Sequence, residues 1–333
     1  MSRIKLYPGS DGWVDMTKTG ETLTILLTGE IDDARLAELK CIAPAASLSY
    51  FAKQADMESA IESADVVAGQ IAPPALQRAG KLKWVHSWAA GPNTQLYPEF
   101  VDNPAVLTCS KGNGAIPLAE HAMMLMLMLN RNAYRWIEGH RNKRWDPFFH
   151  GELNGMTVGI IGAGYSGVDL ALKAKAFHMR VLGLRRNMQP TPNFDRMYSR
   201  DQLHEFLGQS DFVVVTAPKT PETENMLGEA EFKAMKPTAF YVCFSRGGVA
   251  NDDALYKALT EGWIAGAGLD AHGVEPLPSD SRFWTAPNTI VTPHNGATTQ
   301  QTKARGYEIF RDNLKRYVAG EPLSNVVDKH LGY

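Results

Sequence analysis

Cysteine is scarce in this chain of 333 residues, and its three copies, Cys41, Cys109 and Cys243, stand too far apart to form a CxxC pair for zinc binding or thiol exchange. An odd number at wide spacing reads as reduced thiols, and hence a cytoplasmic location. Long hydrophobic runs are also missing: the longest, Ala122 to Leu129, falls far short of the roughly 20 apolar residues that span a bilayer. No membrane span is expected. Nor is there an excess of one charge, since 34 Lys+Arg against 36 Asp+Glu leave a net charge of −2. That balance gives no field to gather a polyanion, so nucleic acid is not expected as a partner. Met1 to Gly12 lacks the basic patch and apolar core of an export signal, and Pro8, Gly9 and Asp11 would interrupt one. Repeats and low-complexity segments are absent too. The composition that remains, 44% hydrophobic and 21% charged, is that of a globular chain with room for two domains.

From Met156 onward short apolar runs alternate with helix-like stretches, the rhythm of a parallel sheet with helices on its faces. Strands are expected over 157–161, 180–184, 212–216, 240–244, 264–269 and 289–292. Helices are expected over 167–177 and 252–261, the second capped by Asn251, Asp252 or Asp253. This predicts a doubly wound, Rossmann-type sheet. A weaker α/β rhythm precedes it, with strands at 23–27 and 65–68 and helices at 31–39 and 57–63. The stretch Leu118 to Asn130 is Met- and Leu-rich almost all round, so it reads either as an internal core helix or as a subunit interface. Gln300 to Val318 carries Tyr307, Phe310, Leu314 and Tyr317 three or four apart and is an amphipathic helix.

Gly162, Ala163, Gly164, Tyr165, Ser166 and Gly167 spell GxGxxG between an expected strand and an expected helix. In that context the first glycine permits the turn and the second lets backbone approach a pyrophosphate. The third lets helix and strand pack, while the helix N-terminus offers free N–H groups to the anion. The next strand ends in Arg185 and Arg186, where an acidic residue would bind the adenosine ribose of NAD and arginine suits the 2′-phosphate of NADP. Asn187, Met188 and Gln189 supply no carboxylate either. NADP(H) is therefore expected over NAD(H).

Each of the last three strands is followed by chemistry-bearing residues: Arg246 in Ser245-Arg246-Gly247-Gly248, Asp270 with Glu275-Pro276, and His294 in Thr292-Pro293-His294-Asn295-Gly296. Ligands of open α/β sheets bind at the carboxyl ends of the strands, so these residues are expected to converge on one crevice.

These stretches, with Ala119-Glu120-His121-Ala122, Thr220-Pro221-Glu222-Thr223 and Gly320-Glu321-Pro322-Leu323, make the chain resemble the D-isomer-specific 2-hydroxyacid dehydrogenases from about Leu82 to Val327. The resemblance, closest to the NADP-type glyoxylate/hydroxypyruvate reductases, implies reduction of a 2-oxo acid to a D-2-hydroxy acid. Arg246 would hold the substrate carboxylate, His294 would donate the proton, and Glu275 would favour the imidazolium. It implies cofactor contacts at Gly162, Gly164, Tyr165, Ser166, Gly167, Arg185, Arg186, Ala217, Pro218, Thr223, Phe244, Ser245, Arg246, Asp270, His294 and Gly296, with Asp270 taking the nicotinamide carboxamide. Substrate contacts are implied at Ala89, Ala90, Gly91, Arg246 and His294, and no metal. A smaller, flavodoxin-like substrate domain, residues 1–112 and 297–333, would receive the Rossmann cofactor domain, residues 113–296, as an insert. Residues 115–150 would be a dimerisation helix and arm, making the partner a second copy of the chain. Trp88 and His272 depart from the family pattern, which has an aromatic residue at the second position; they read as pocket-shaping or as packing variants. A formate dehydrogenase-like member would lack Glu275, and a cofactor-sensing corepressor on the same fold is the alternative from another class.

Overall fold

The structure is a computed structural model that describes residues 3–5, 13–15, 22–186 and 188–332. Pro8, Gly9, Asp11 and Asn187, read above, lie outside the described residues. The chain divides into two compact units, Gly114–Thr298 and Met1–Asn113 with Thr299–Tyr333.

The strands in chain order are β1 Arg3–Lys5, β2 Trp13–Asp15, β3 Thr24–Leu27, β4 Ser47–Tyr50, β5 Val66–Ala68, β6 Trp84–Ser87 and β7 Val106–Cys109. They continue as β8 Thr157–Ile161, β9 Arg180–Leu184, β10 Arg196–Tyr198, β11 Phe212–Val215, β12 Phe240–Cys243, β13 Gly266–Leu269 and β14 Thr289–Val291. Strands β1 and β2 form an antiparallel pair.

In the unit Gly114–Thr298 seven parallel strands lie in the order β10-β9-β8-β11-β12-β13-β14. The chain starts in the middle at β8, winds outward to β10, then returns to β11 and winds the other way, the doubly wound order with one strand added at its far edge. All residues of β8, β11 and β13 are buried, as expected where helices cover both faces. On one face the helices Ala115–Asn130 and Tyr165–Ala176 bury Ala119, Ala122, Leu125, Met126, Leu170 and Ala174 against β8 and β11. On the other, Leu203–Gln209 and Asp252–Thr260 bury Phe206, Leu207, Leu255 and Ala258. Each such large apolar side chain contributes about 1.5–3 kcal/mol on burial. Asn251 caps the second of these helices, its Oδ1 accepting from the Ala254 N–H at 3.0 Å. The six strands expected in this unit are present, each edge within two residues; β10 is an additional one.

In the other unit five parallel strands lie in the order β4-β3-β5-β6-β7. Counted from β3 this is the 2-1-3-4-5 order of flavodoxin-like sheets. The helix Gln300–Ala319 lies against this sheet: Trp84 stacks between Phe310 and Tyr317, with ring centroids 5.5 and 5.1 Å away. No helix of the described residues is long and apolar enough to cross a membrane.

Candidate active site

The return of the chain from β10 to β11 leaves a crevice at the carboxyl ends of β8 and β11, and the glycine loop lies there. Gly162 has φ +103°, a left-handed conformation, and a Cβ on it would meet the Ala217 backbone nitrogen at 2.8 Å. A Cβ on Gly167 would fall 2.2 Å from the Gly162 carbonyl oxygen, so the helix Tyr165–Ala176 can start this close only with glycine there. Gly164 differs: a Cβ there meets nothing within 4 Å, and the residue is the uncapped start of a twelve-residue helix. Open space beside an N-terminus with no side-chain cap, floored by glycine backbone, fits a pyrophosphate. Tyr165 and Ser166 open the helix, the first exposed and the second half-buried. Across the crevice the Ala217 N–H donates to the Ile161 carbonyl at 2.9 Å. Thr223 Oγ1 donates to the Pro218 carbonyl at 2.8 Å, closing the loop that follows β11.

Arg185 and Arg186 follow β9 directly. Arg185 is half-buried; its N–H donates to the Tyr198 carbonyl at 3.1 Å and its guanidinium reaches Thr191 Oγ1 at 3.4 Å. Strand β10 thus serves to fix the backbone of Arg185. Asp195, the first acid after the arginines, turns away to Lys175 and to the Val181 N–H at 2.7 Å. Burial alone would raise its carboxyl, but those partners and Arg180 hold it below the usual carboxylate range. Arg186 lies 3.7 Å from Glu222, with both side chains more than half exposed, an arrangement worth little against solvent screening.

The loops after β12, β13 and β14 carry the remaining candidates on adjacent strands, since Cys243 pairs with Leu269 and Leu269 with Val291. Phe244 is buried beneath the first loop. Arg246, half-buried, donates from Nη1 to the Ser245 carbonyl at 2.7 Å, and its own carbonyl accepts from the Cys243 thiol at 3.4 Å. A Cβ on Gly247 would coincide with the His272 carbonyl group, 2.0 Å away, so the arginine loop is seated on the backbone of the next one.

On that next loop Glu275 meets His294: Nδ1 is 2.8 and 2.7 Å from the two carboxylate oxygens. Burial would raise the Glu275 carboxyl, but the His272 N–H at 2.8 Å, the His294 hydrogen bond and the charge of both histidines outweigh it and hold it below the usual range. Glu275 therefore stays ionised through neutral pH, and its stabilising effect is lost only as pH falls through its lowered pKa. His294 itself has φ +50°, a left-handed conformation rare for a side chain of this size. What holds it there is Asp270, wholly buried, whose Oδ1 accepts from Thr292 Oγ1 at 2.6 Å and the Asn295 N–H at 3.1 Å. Its Oδ2 accepts from the Gly296 N–H at 3.0 Å. His121, from the helix Ala115–Asn130, completes the network, with Nε2 3.1 Å from Thr292 Oγ1 and 3.5 Å from Asp270. Sequence reasoning listed His121 only as part of a motif and did not single out Thr292. The polar spacing around His294 was the available signal, but which donors turn onto Asp270 depends on the fold. A separate cavity of about 290 Å³ lies behind these loops, between them and the helix Asp252–Thr260.

In the other unit, the loop Ala89-Ala90-Gly91 follows β6. Its Ala89 carbonyl accepts from the Ser110 N–H at 3.1 Å, and Ala89 and Ala90 are exposed. Trp88 packs edge-on against His86 and Phe310, centroids 5.3 Å from each, so it serves the core of this unit. His86 is fully buried between Thr108 and Ser110, and burial pushes its pKa down to about 3.

A family model for the D-isomer specific 2-hydroxyacid dehydrogenase NAD binding domain matches residues 123–296, more than half of the chain. The chain belongs to this family. A glyoxylate reductase of Korarchaeum cryptofilum is 33% identical over 77% of the chain and 79% of that protein. Among solved structures, a D-isomer specific 2-hydroxyacid dehydrogenase family protein from Aeromonas salmonicida is 30% identical, with a TM-score of 0.84 over 93% of this chain and all of that one. An NADPH-dependent glyoxylate/hydroxypyruvate reductase from Sinorhizobium meliloti, solved with NADP and sulfate, is 28% identical, with a TM-score of 0.80 over 94% of this chain and all of that one. The dehydrogenase is thus a nicotinamide-dependent oxidoreductase with a Rossmann fold, in keeping with its sheet order and glycine loop.

The space beside Gly164 gives a direct test of the cofactor cradle. Gly164→Ala is expected to leave the melting temperature within about 2 °C of wild type while weakening NADPH binding about tenfold or more, because overpacking a filled contact costs about 1–3 kcal/mol. Fluorescence titration and thermal unfolding measure the two; NADPH affinity unchanged in this variant would mean that no ligand lies against Gly164.

Proposed function

We propose that the dehydrogenase reduces a small 2-oxo acid to a D-2-hydroxy acid with NADPH, its unit Gly114–Thr298 serving as cofactor domain and the other as substrate domain. The observation that carries this reading is the His294–Glu275 pair, Nδ1 facing both carboxylate oxygens, at the carboxyl edge of the sheet whose glycine loop fits a dinucleotide. The nicotinamide, when bound, supplies the hydride. His294 gives a proton to the substrate carbonyl oxygen during reduction and takes it back in the reverse direction. With Nδ1 held by Glu275, its other ring nitrogen is left for the substrate, and the carboxylate balances the imidazolium charge. Arg246 holds the substrate carboxylate, for which its planar fork is suited, and polarises the 2-oxo group. In the substrate domain the loop Ala89-Ala90-Gly91 carries backbone N–H groups of the kind that grip a carboxylate. Asp270, closed off by its protein partners, acts by holding the His294 turn rather than by touching the nicotinamide carboxamide. The Glu275–His294 bond favours this chemistry over a formate dehydrogenase, and a pure cofactor sensor has no use for a paired proton donor.

Arg185 and Arg186 support the choice of NADPH, since the 2′-phosphate gains charge-assisted hydrogen bonds from them, the next acid along the chain, Asp195, is committed elsewhere, and Glu222 meets Arg186 only at the exposed surface. The same reading makes the protein a cytoplasmic homodimer. Trp145 and Phe149 are 95% and 106% exposed on the arm after the helix Ala133–Arg141, and Met124 and Tyr134, on the helices that lead to it, are exposed as well. A second copy seated on this face removes that apolar surface from water.

Two measurements test the assignment. His294→Asn is expected to lower kcat for 2-oxo acid reduction by about 100-fold or more, the usual worth of a placed proton donor, while NADPH still binds. A panel of glyoxylate, hydroxypyruvate, pyruvate and branched 2-oxo acids supplies the substrates, and turnover near wild type in that variant would contradict the role. For the cofactor, kcat/KM with NADPH should exceed that with NADH by about tenfold or more, one good contact being worth about 1.4 kcal/mol. In Arg185→Ser/Arg186→Ser that ratio should collapse; an unchanged ratio would show the arginines to be ordinary surface charges.

A further inference from the structure

The structure gives His272 a part that neither of the readings suggested by the sequence assigns to it. Its side chain is buried, and Nε2 lies 2.9 Å from the carbonyl oxygen of Thr292. A carbonyl only accepts, so Nε2 carries the proton and donates. Its backbone N–H donates to Glu275 Oε1 at 2.8 Å, and its own carbonyl group forms the seat of Gly247. One residue therefore touches all three loops of the proposed catalytic set: the Arg246 loop by contact, Glu275 through its backbone and the His294 turn through its ring.

We propose that His272 is a positioning residue that clamps the turn of His294 to the loop of Glu275, and so keeps the pair aligned for proton transfer. The inference rests on the reading of His294 as proton donor. Without the ring bond, Thr292 to Gly296 keeps Asp270, His121 and the Thr292 N–H bond to the Leu269 carbonyl but loses its one side-chain tie to the loop of Glu275, and the left-handed His294 gains freedom relative to Glu275. The ring, not the backbone N–H, is what a substitution removes. The charged and titratable groups around the pair are Asp270 and Glu275 on the His272 loop, His121 from the long helix, Asp252 packed against Gly273, and Arg246 on the loop seated upon His272.

His272→Phe keeps a ring of similar size and deletes the donor, whereas His272→Gln restores an N–H at comparable reach. In His272→Phe, kcat for 2-oxo acid reduction is expected to fall about 3- to 10-fold, the worth of one hydrogen bond, with KM for both substrates within about twofold of wild type. The high-pH limb of its kcat profile should move to lower pH by several tenths of a unit, because a loosened carboxylate favours the imidazolium less. His272→Gln should return both quantities to within about twofold of wild type. Wild-type kcat and profile in His272→Phe would overturn the clamp, as would equal impairment of both variants with a matching fall in melting temperature, which marks packing alone. His294→Asn is run alongside: its retention of turnover would remove the proton-donor reading itself, a result distinct from either of these.

Discussion

Everything in the proposed catalytic edge depends on one buried carboxyl group. Asp270 leaves the end of β13 into a place without solvent, where a polar group must find partners or destabilise the fold. It finds the hydroxyl of Thr292 and the N–H groups of Asn295 and Gly296, all on the loop after β14. Those bonds bracket His294 on both sides and hold it at φ +50°. The strain of a left-handed histidine is tolerated because its neighbours leave it no other course. Glu275 then meets a histidine whose backbone is held, and the His294 Nδ1 lies 2.8 and 2.7 Å from its two oxygens.

The sheet supplies the other half of the arrangement. Because the chain begins at β8 and reverses at β11, the glycine loop and the loop after β11 face each other across the switch point, and β12, β13 and β14 follow in register on the same side. The glycine loop and the His294–Glu275 pair thus share one edge for a topological reason. That order also accounts for the glycines at positions 162 and 167, where any Cβ would meet backbone.

Much of this was legible in the sequence, and the reasons are local. Strands such as Phe212–Val215 are uninterrupted apolar runs, which only a sheet covered on both faces uses, and GxGxxG between strand and helix has few other meanings. Strand β10 was not legible: it has three residues, Arg196–Tyr198, after a stretch containing Pro190 and Pro192, and it exists because β9 offers a free edge. Strand β4 is polar, Ser47–Tyr50, for the same edge reason. The role of Asp270 was illegible in a different way. A sequence places an aspartate after a strand, but that three donors of the neighbouring loop turn onto its oxygens follows only once β14 pairs with β13. His272 and Trp88 share that character: the first turns its ring to the Thr292 carbonyl and the second packs on Phe310, partners far away in sequence.

The central claim is that Asp270 serves catalysis by holding the His294 turn, and Asp270→Asn tests it most directly. The measurement is NADPH dissociation by fluorescence titration beside kcat at saturating NADPH for the reduction of a 2-oxo acid that the wild type accepts. If the turn is what Asp270 holds, kcat falls by about 10-fold or more while the dissociation constant for NADPH changes by less than about threefold, since one oxygen has become a donor facing other donors. A dissociation constant raised tenfold with kcat preserved at saturation would contradict the account and make Asp270 a cofactor ligand instead.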